Sequence, residues 1–193
     1  MEILGKLLGT PARVKIMRLF LLNKNKTFTN KDIVKRSRVT ISSIRKEVNL
    51  LASVDFIKRH TVGWSFNPSF KYMKEFENLL VSADTLDDKT VIDNFKRVGR
   101  IKLLIVSGVF IKNKDSRLDL LIVGDKLKRG KIEEGIRRLE AEIGAEVVYA
   151  IFETKEFIYR LNMFDKLVRD ILDFPHKVIL QNKELSTHAL KKL

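Results

Sequence analysis

Apolar positions in the first fifty residues recur at helical spacing, separated by short polar breaks. Thr10-Pro11 predicts a helix start, with Thr10 as N-cap and Pro11 at the first helical position, where a missing N–H costs nothing. Val14, Met17 and Leu21, with Ile16 and Phe20 beside them, supply its apolar face. Asn-Lys-Asn-Lys at 23–26 breaks the pattern. Thr29-Asn30 then caps a short second helix over 31–36 with Ile33 and Val34 inward, and Ser37-Arg38-Val39 predicts a tight turn. Thr40 caps a third helix, from Ile41 to about Ser53, on which Ile44, Val48 and Leu51 share one face. Beyond Phe56 the period changes to two: Lys58 and His60 alternate with Ile57 and Arg59. Val62-Gly63 predicts a turn and Trp64–Phe66 a returning strand, together a β-hairpin. Residues 68–81 carry Phe70, Met73, Phe76, Leu79 and Leu80 at helical spacing, a broad face that either covers its own domain or packs on a second copy.

The acidic stretch 82–89 marks a boundary, after which a helix over 91–98 leads into continuous apolar runs. Arg100–Val106 and Arg117–Gly124 predict buried strands, separated by Ser107-Gly108 and a loop rich in Lys and Asn. An amphipathic helix over 131–143 follows, then a strand over 146–152. Thr154 caps a helix to about Leu161 with Phe157 and Ile158 inward. Phe164, Leu167, Val168, Ile171 and Leu172 form a second helical stripe, Pro175 stops it, and 177–180 is a last short strand. This order predicts an α/β domain on a small mixed sheet. The chain is thus expected to be α+β or α/β in class and two-domain, divided at 1–82 and 83–193. Residues 181–193 are polar, a tail or a short partner helix.

Charge sharpens the division. The chain of 193 residues has a net charge of +14. Residues 1–82 hold 16 Lys and Arg against 6 Asp and Glu, whereas 83–193 hold 22 against 18. An excess so concentrated suits a polyanion partner, because neutralising phosphates releases counterions. Cysteine is absent, which excludes disulfides, a thiol nucleophile and cysteine-ligated metals. No apolar run approaches the ~18–20 residues of a membrane span. The early run Ile16–Leu22 is broken by Arg18 and lacks a cleavage site, so no secretory signal is expected and the expected location is cytoplasmic.

On the third helix the face opposite the core shows Thr40, Ser42, Ser43, Arg45, Lys46 and Asn49, residue types that reach base edges and phosphates. Following a helix and a tight turn, it makes a helix-turn-helix arrangement. With the hairpin after it, the run TISSIRKEVNLLASVDFIKR resembles the recognition helix and wing of bacterial winged-helix transcription regulators, over about residues 8–68. The resemblance implies duplex DNA as partner, read by the third helix, with Lys58, Arg59 and His60 of the wing near the backbone. Asp55 departs from the glycine usual before the wing, though Asp tolerates a left-handed backbone.

In the second half, IVSGVFIKNKDSRLDLLIVGD and TKEFIYRLNMFDKLVRDILDFPHKVIL resemble the DNA polymerase β-type nucleotidyltransferase superfamily, in particular minimal domains that follow a winged helix, over about residues 90–181. Members pair a Gly-Ser turn that holds the triphosphate with an Asp-x-Asp strand and a third carboxylate that hold two Mg²⁺. Here the turn is reversed to Ser107-Gly108, the carboxylate pair reads Arg117-Leu118-Asp119, and the third position falls near Val148, with Glu146 two residues away. One carboxylate beside a guanidinium is a poor seat for paired divalent ions, so catalytic residues, metal and cofactor are all expected to be none. Three roles stay open for the domain. Lys112, Lys114 and Arg117 could bind a nucleotide or small-anion effector; the domain could form a homodimer; or Arg117 could pair with Asp115 or Asp119. An active metal-dependent nucleotidyltransferase and an antitoxin-like protein-binding module are the rival functions. His60, His176 and His188 lack metal-ligand spacing, and neither a P-loop nor a nucleophile elbow occurs.

Overall fold

The computed structural model describes residues 3–81, 86–113 and 115–185. The chain is of mixed α+β class, with two small sheets and nine α-helices among the described residues. It separates into two compact units, one of Met1–Thr85 with Arg137–Glu146, the other of Leu86–Ile136 with Val147–Leu193. Among the described residues no helix is long and apolar enough to cross a membrane.

The first unit opens with α1 (Ile3–Leu7) and α2 (Pro11–Leu22). Thr10 caps α2 by accepting from Arg13 N–H, with Pro11 at its start. A two-residue strand, β1 (Thr27–Phe28), precedes α3 (Asn30–Ser37). Thr29 and Asp32 form a capping box there: Thr29 Oγ1 accepts from Asp32 N–H and Asp32 accepts from Thr29 N–H. Hydrogen bonds from Thr29, helped by Arg36 and Lys35, hold the Asp32 carboxyl below its ordinary value. Because the folded value is depressed, this stabilisation is present above the ordinary pH range of Asp titration and is lost as pH falls through the folded value. Thr29→Ala should therefore cost about 1 kcal/mol in denaturant titrations at neutral pH. The same substitution should cost less at a pH where Asp32 is protonated.

Arg38 ends α3 in the left-handed region, and α4 (Ile41–Ser53) follows. Asp55 has φ +57°, the left-handed conformation expected of it. The hairpin is β2 (Ile57–His60) and β3 (Gly63–Phe66), and β1 adds to β3, giving the antiparallel order β1-β3-β2. The tight turn is Thr61-Val62, one residue earlier than expected, since His60 pairs with Gly63. Gly63 instead serves the approach of β1: a Cβ there would stand 2.3 Å from the Phe28 carbonyl oxygen. The core joins Ile16, Phe20, Ile33, Ile44, Val48, Leu51, Phe56 and Phe66. The expected connector helix is shorter, α5 (Met73–Leu80), and Phe70 and Phe76 lie edge-on to Phe56. Its apolar face is thus spent largely on its own unit.

In the second unit, α6 (Asp88–Asp93), β4 (Arg100–Val106), β5 (Leu120–Asp125), α7 (Arg129–Ile143), β6 (Tyr149–Glu153), α8 (Thr154–Asn162), α9 (Lys166–Asp173) and β7 (Lys177–Gln181) follow in turn. The sheet order is β6-β5-β4-β7, with β5 and β6 parallel and the rest antiparallel. Leu103, Ile105, Leu121, Val123, Phe157, Val168 and Ile171 fill one core cluster. Several expectations fail locally. Thr154 is the first helical residue and Glu153 occupies the N-cap. Ile158, Phe164 and Leu167 face solvent, because only Phe157, Val168, Ile171 and Leu172 of the two stripes reach the core. Arg117 and Asp119 precede β5 instead of lying within it.

Candidate functional site

Helix α4 presents two unlike faces. Ile44, Glu47, Val48 and Leu51 are buried, while Ser42, Arg45, Lys46 and Asn49 are exposed and Ser43 is half-buried. Thr40 stands at the N-cap without a capping bond; its hydroxyl lies 3.2 Å from Ser42 Oγ and donates to Ser43 Oγ at 3.0 Å. The hydroxyls of the first turn thus bond to one another and leave backbone donors at the helix start. Glu47 anchors α4 from its inner side, accepting from Thr10 Oγ1 at 2.9 Å and from Arg13 Nε at 2.7 Å. Its position three residues after Ile44 already put it on the inner face, a signal the sequence carried.

The hairpin stands beside this helix. Lys58, Arg59 and His60 are all exposed. The Arg59 guanidinium lies over the Trp64 ring at 5.8 Å, and His60 Nε2 meets Ser65 Oγ at 2.7 Å. Trp64 also packs on the core, so its ring braces the arginine while securing the hairpin. Thr29, Asn30 and Lys31 at the start of α3, Asn49 of α4, and Arg59, His60 and Trp64 line one groove of about 620 Å³. Sequence patterning missed Asn30 and Lys31, because a polar residue in the first turn of a short helix reads only as a cap. Helix and hairpin residues therefore meet in one concave, cationic and aromatic surface.

The second unit places its candidate residues differently. Asp119 is 9% exposed, and both its carboxylate oxygens are occupied. Val109 N–H donates to Oδ1 and Val148 N–H to Oδ2, each at 2.8 Å. Its backbone bridges the same neighbours: Ser107 N–H donates to Asp119 O, and Asp119 N–H to Val148 O. Asp119 thereby staples the ends of three strands. Gly108 has φ +51°, and a Cβ on it would fall 1.9 Å from Asp119 Oδ1. Ser107 is buried and donates to the Pro175 carbonyl at 2.8 Å, with Ser116 Oγ at 2.6 Å. The Ser-Gly turn is thus folded around a carboxylate of its own chain.

Arg117 is exposed and pairs with Asp170 of α9 at 3.2 Å, not with Asp115 or Asp119. The physical reason is position: ahead of β5, its long side chain reaches α9, while Asp119 turns to backbone amides. Lys112 is exposed with φ +57°, and Lys114 lies outside the described residues. Glu146 belongs to the first unit, where Arg36 holds it at 2.8 Å and keeps its carboxyl below the ordinary value. Among the described residues no three His, Asp or Glu side chains gather as a metal site would need. Compared with protein-family models, curated proteins and solved structures, the chain has no match in any of the three.

Proposed function

We propose that the chain is a DNA-binding transcription regulator whose first unit is a winged helix and whose second unit is a nucleotidyltransferase-like domain without transferase activity. The observation that carries this reading is the two-faced α4. It buries Ile44, Val48 and Leu51 and offers Ser42, Arg45, Lys46 and Asn49, beside a hairpin that offers Lys58, Arg59 and His60. In this reading α4 enters the major groove, where Arg and Asn read base edges, and the hairpin and Lys31 neutralise backbone phosphates. The inactivity of the second unit is supported by Asp119, whose two oxygens are each already engaged by a backbone N–H, and by Arg117, a cation where the paired carboxylate of a two-metal site would stand.

Fluorescence anisotropy with the duplex upstream of the chain's own coding sequence tests the first part. Arg45→Ala and Lys46→Ala should each weaken binding by about tenfold, and a lost phosphate contact should lower the slope of log affinity against log salt by about one. Binding that is absent at low salt, or indifferent to both substitutions, removes the proposal. Incubation with labelled nucleoside triphosphates and Mg²⁺ or Mn²⁺ tests the second part; label transfer that Asp119→Asn abolishes would make the domain an enzyme.

A further inference from the structure

Seven cations gather at one end of the sheet in the second unit, the end away from Ser107-Gly108. Lys96, Arg97 and Arg100 stand at the start of β4, and Lys126, Lys128, Arg129 and Lys131 run from β5 into α7. Neither stretch, 96–100 or 126–131, contains an acidic residue. Because β4 and β5 are antiparallel, with Arg100 opposite Asp125, the start of one lies beside the end of the other. The two loops also touch: Lys128 N–H donates to Val98 O at 2.7 Å, and a Cβ on Gly99 would stand 2.6 Å from Lys126 O. Stretches distant in sequence therefore form one surface, and all seven residues are exposed.

Most of this charge is left unpaired. Lys96 pairs with Asp93 at 2.6 Å, and Asp125 is held by Lys102 at 2.8 Å; the other six cations form no ion pair among the described residues. Glu133 and Glu134 stand further along α7. Three of the six, Lys128, Arg129 and Lys131, occupy the entry to α7, whose first turn has no acidic residue. The helix dipole already places partial positive charge there, so cations at that end cost stability. The concentration is local as well: without these seven, residues 83–193 hold 15 Lys and Arg against 18 Asp and Glu. A cationic surface spread for solubility alone would not be collected at one end of an otherwise acidic half.

Charge complementarity selects the occupant. Cations from two loops suit an extended row of phosphates, and each guanidinium can grip a phosphate through two N–H donors. At Gly130 nothing lies within 4 Å of where a Cβ would stand. A phosphate oxygen can therefore also approach the first N–H groups of α7, which have no intrahelical partner. Neither stretch has an exposed large apolar side chain to enter a lipid layer. Neither has an amide or hydroxyl side chain, so the side-chain donors on offer are all cationic. We propose that this patch is a second DNA contact, holding the phosphate backbone of duplex DNA without reading its sequence. The choice of DNA over RNA rests on the reading of α4 as a DNA-contacting helix; the fit to a phosphate backbone does not.

Fluorescence anisotropy on the full chain gives the test, with a duplex DNA, a duplex of shuffled sequence and the matching duplex RNA, each over a salt series. A variant combining Arg97→Gln, Lys128→Gln, Arg129→Gln and Lys131→Gln should weaken both DNA duplexes alike, by about tenfold or more. It should also lower the slope of log affinity against log salt by about three to four. Its melting temperature should hold or rise, since three charges that oppose the α7 dipole are gone. A control combining Lys89→Gln, Lys155→Gln, Lys166→Gln and Lys183→Gln removes as many exposed cations from elsewhere in the second half. It should lower the slope by less than about one. Equal losses from the two variants would reduce the patch to a share of the chain's general field and overturn the proposal. So would a loss confined to RNA, or to vesicles of phosphatidylserine and phosphatidylcholine, with DNA affinity unchanged. Arg45→Ala keeps this outcome apart from that of the α4 reading. If α4 does not touch DNA, Arg45→Ala is silent while the patch variant still loses affinity; if the patch does not, the reverse holds.

Discussion

Arg18→Ala is expected to destabilise the first unit by about 3–5 kcal/mol, a large share of a small domain's stability. Arg18 sits in the apolar face of α2 with 1% of its surface exposed. Its Nε donates to the Leu80 carbonyl at 2.8 Å and its Nη1 to the Glu142 carbonyl at 3.1 Å. Those carbonyls belong to the last turns of α5 and α7, where intrahelical partners run out and the helix dipole leaves partial negative charge. One planar cation therefore closes two helix ends. Alanine would remove both bonds, leave the buried Leu80 carbonyl and the part-buried Glu142 carbonyl without this donor and open a void. Arg18→Met should cost less, since it fills the volume and loses only the bonds. Lysine should recover only part of the loss, because its donors all radiate from one nitrogen, whereas arginine meets the two carbonyls from separate nitrogens, Nε and Nη1. The measurement is denaturant unfolding followed by Trp64, the sole tryptophan, which reports the first unit specifically. A loss below about 1 kcal/mol would mean the two bonds are replaced by water, and the helix-end argument would fail.

Arg18 also marks the limit of sequence patterning. A cation in an apolar run looks like an interruption, and only the arrival of two distant helix ends explains it. Asn23 behaves alike: it reads as a polar break, yet its side-chain amide donates to Leu19 O and Gly144 O, each at 2.8 Å. Local signals fared better. Thr10-Pro11, Thr29 before the second helix, and the left-handed Asp55 each depend on a few neighbouring residues, and each takes the conformation its chemistry favours. The strand β1 was not legible, because two residues carry no period and pair only once β3 exists. In the candidate site the same rule holds. The exposed face of α4 follows from periodicity, whereas the partner of Arg117 depends on where α9 docks, which periodicity does not encode.

Asp119→Ala should destabilise the second unit by about 3 kcal/mol or more, since two charge-assisted bonds to backbone amides disappear together. The N–H groups of Val109 and Val148 that now donate at 2.8 Å would be left without their acceptor at the ends of packed strands. Asp119→Asn should recover only part of the loss: one amide oxygen replaces two carboxylate oxygens, and its NH₂ would face an N–H. Gly108→Ala should be costly as well, because its Cβ would fall 1.9 Å from Asp119 Oδ1 at a left-handed φ of +51°. The two sites are therefore coupled. With Ala at 119 the carboxylate is gone, and Gly108→Ala then retains only the backbone strain, about 1–2 kcal/mol. The double variant should accordingly be less damaged than the sum of the singles, a coupling readable from a double-mutant cycle in denaturant. A carboxylate held in readiness for metal ions behaves in the opposite way. Its removal relieves an unfavourable charge, often stabilises the fold, and shows no such dependence on residue 108. The sign of the Asp119→Ala effect on stability thus separates a structural staple from a catalytic ligand without any assay of catalysis.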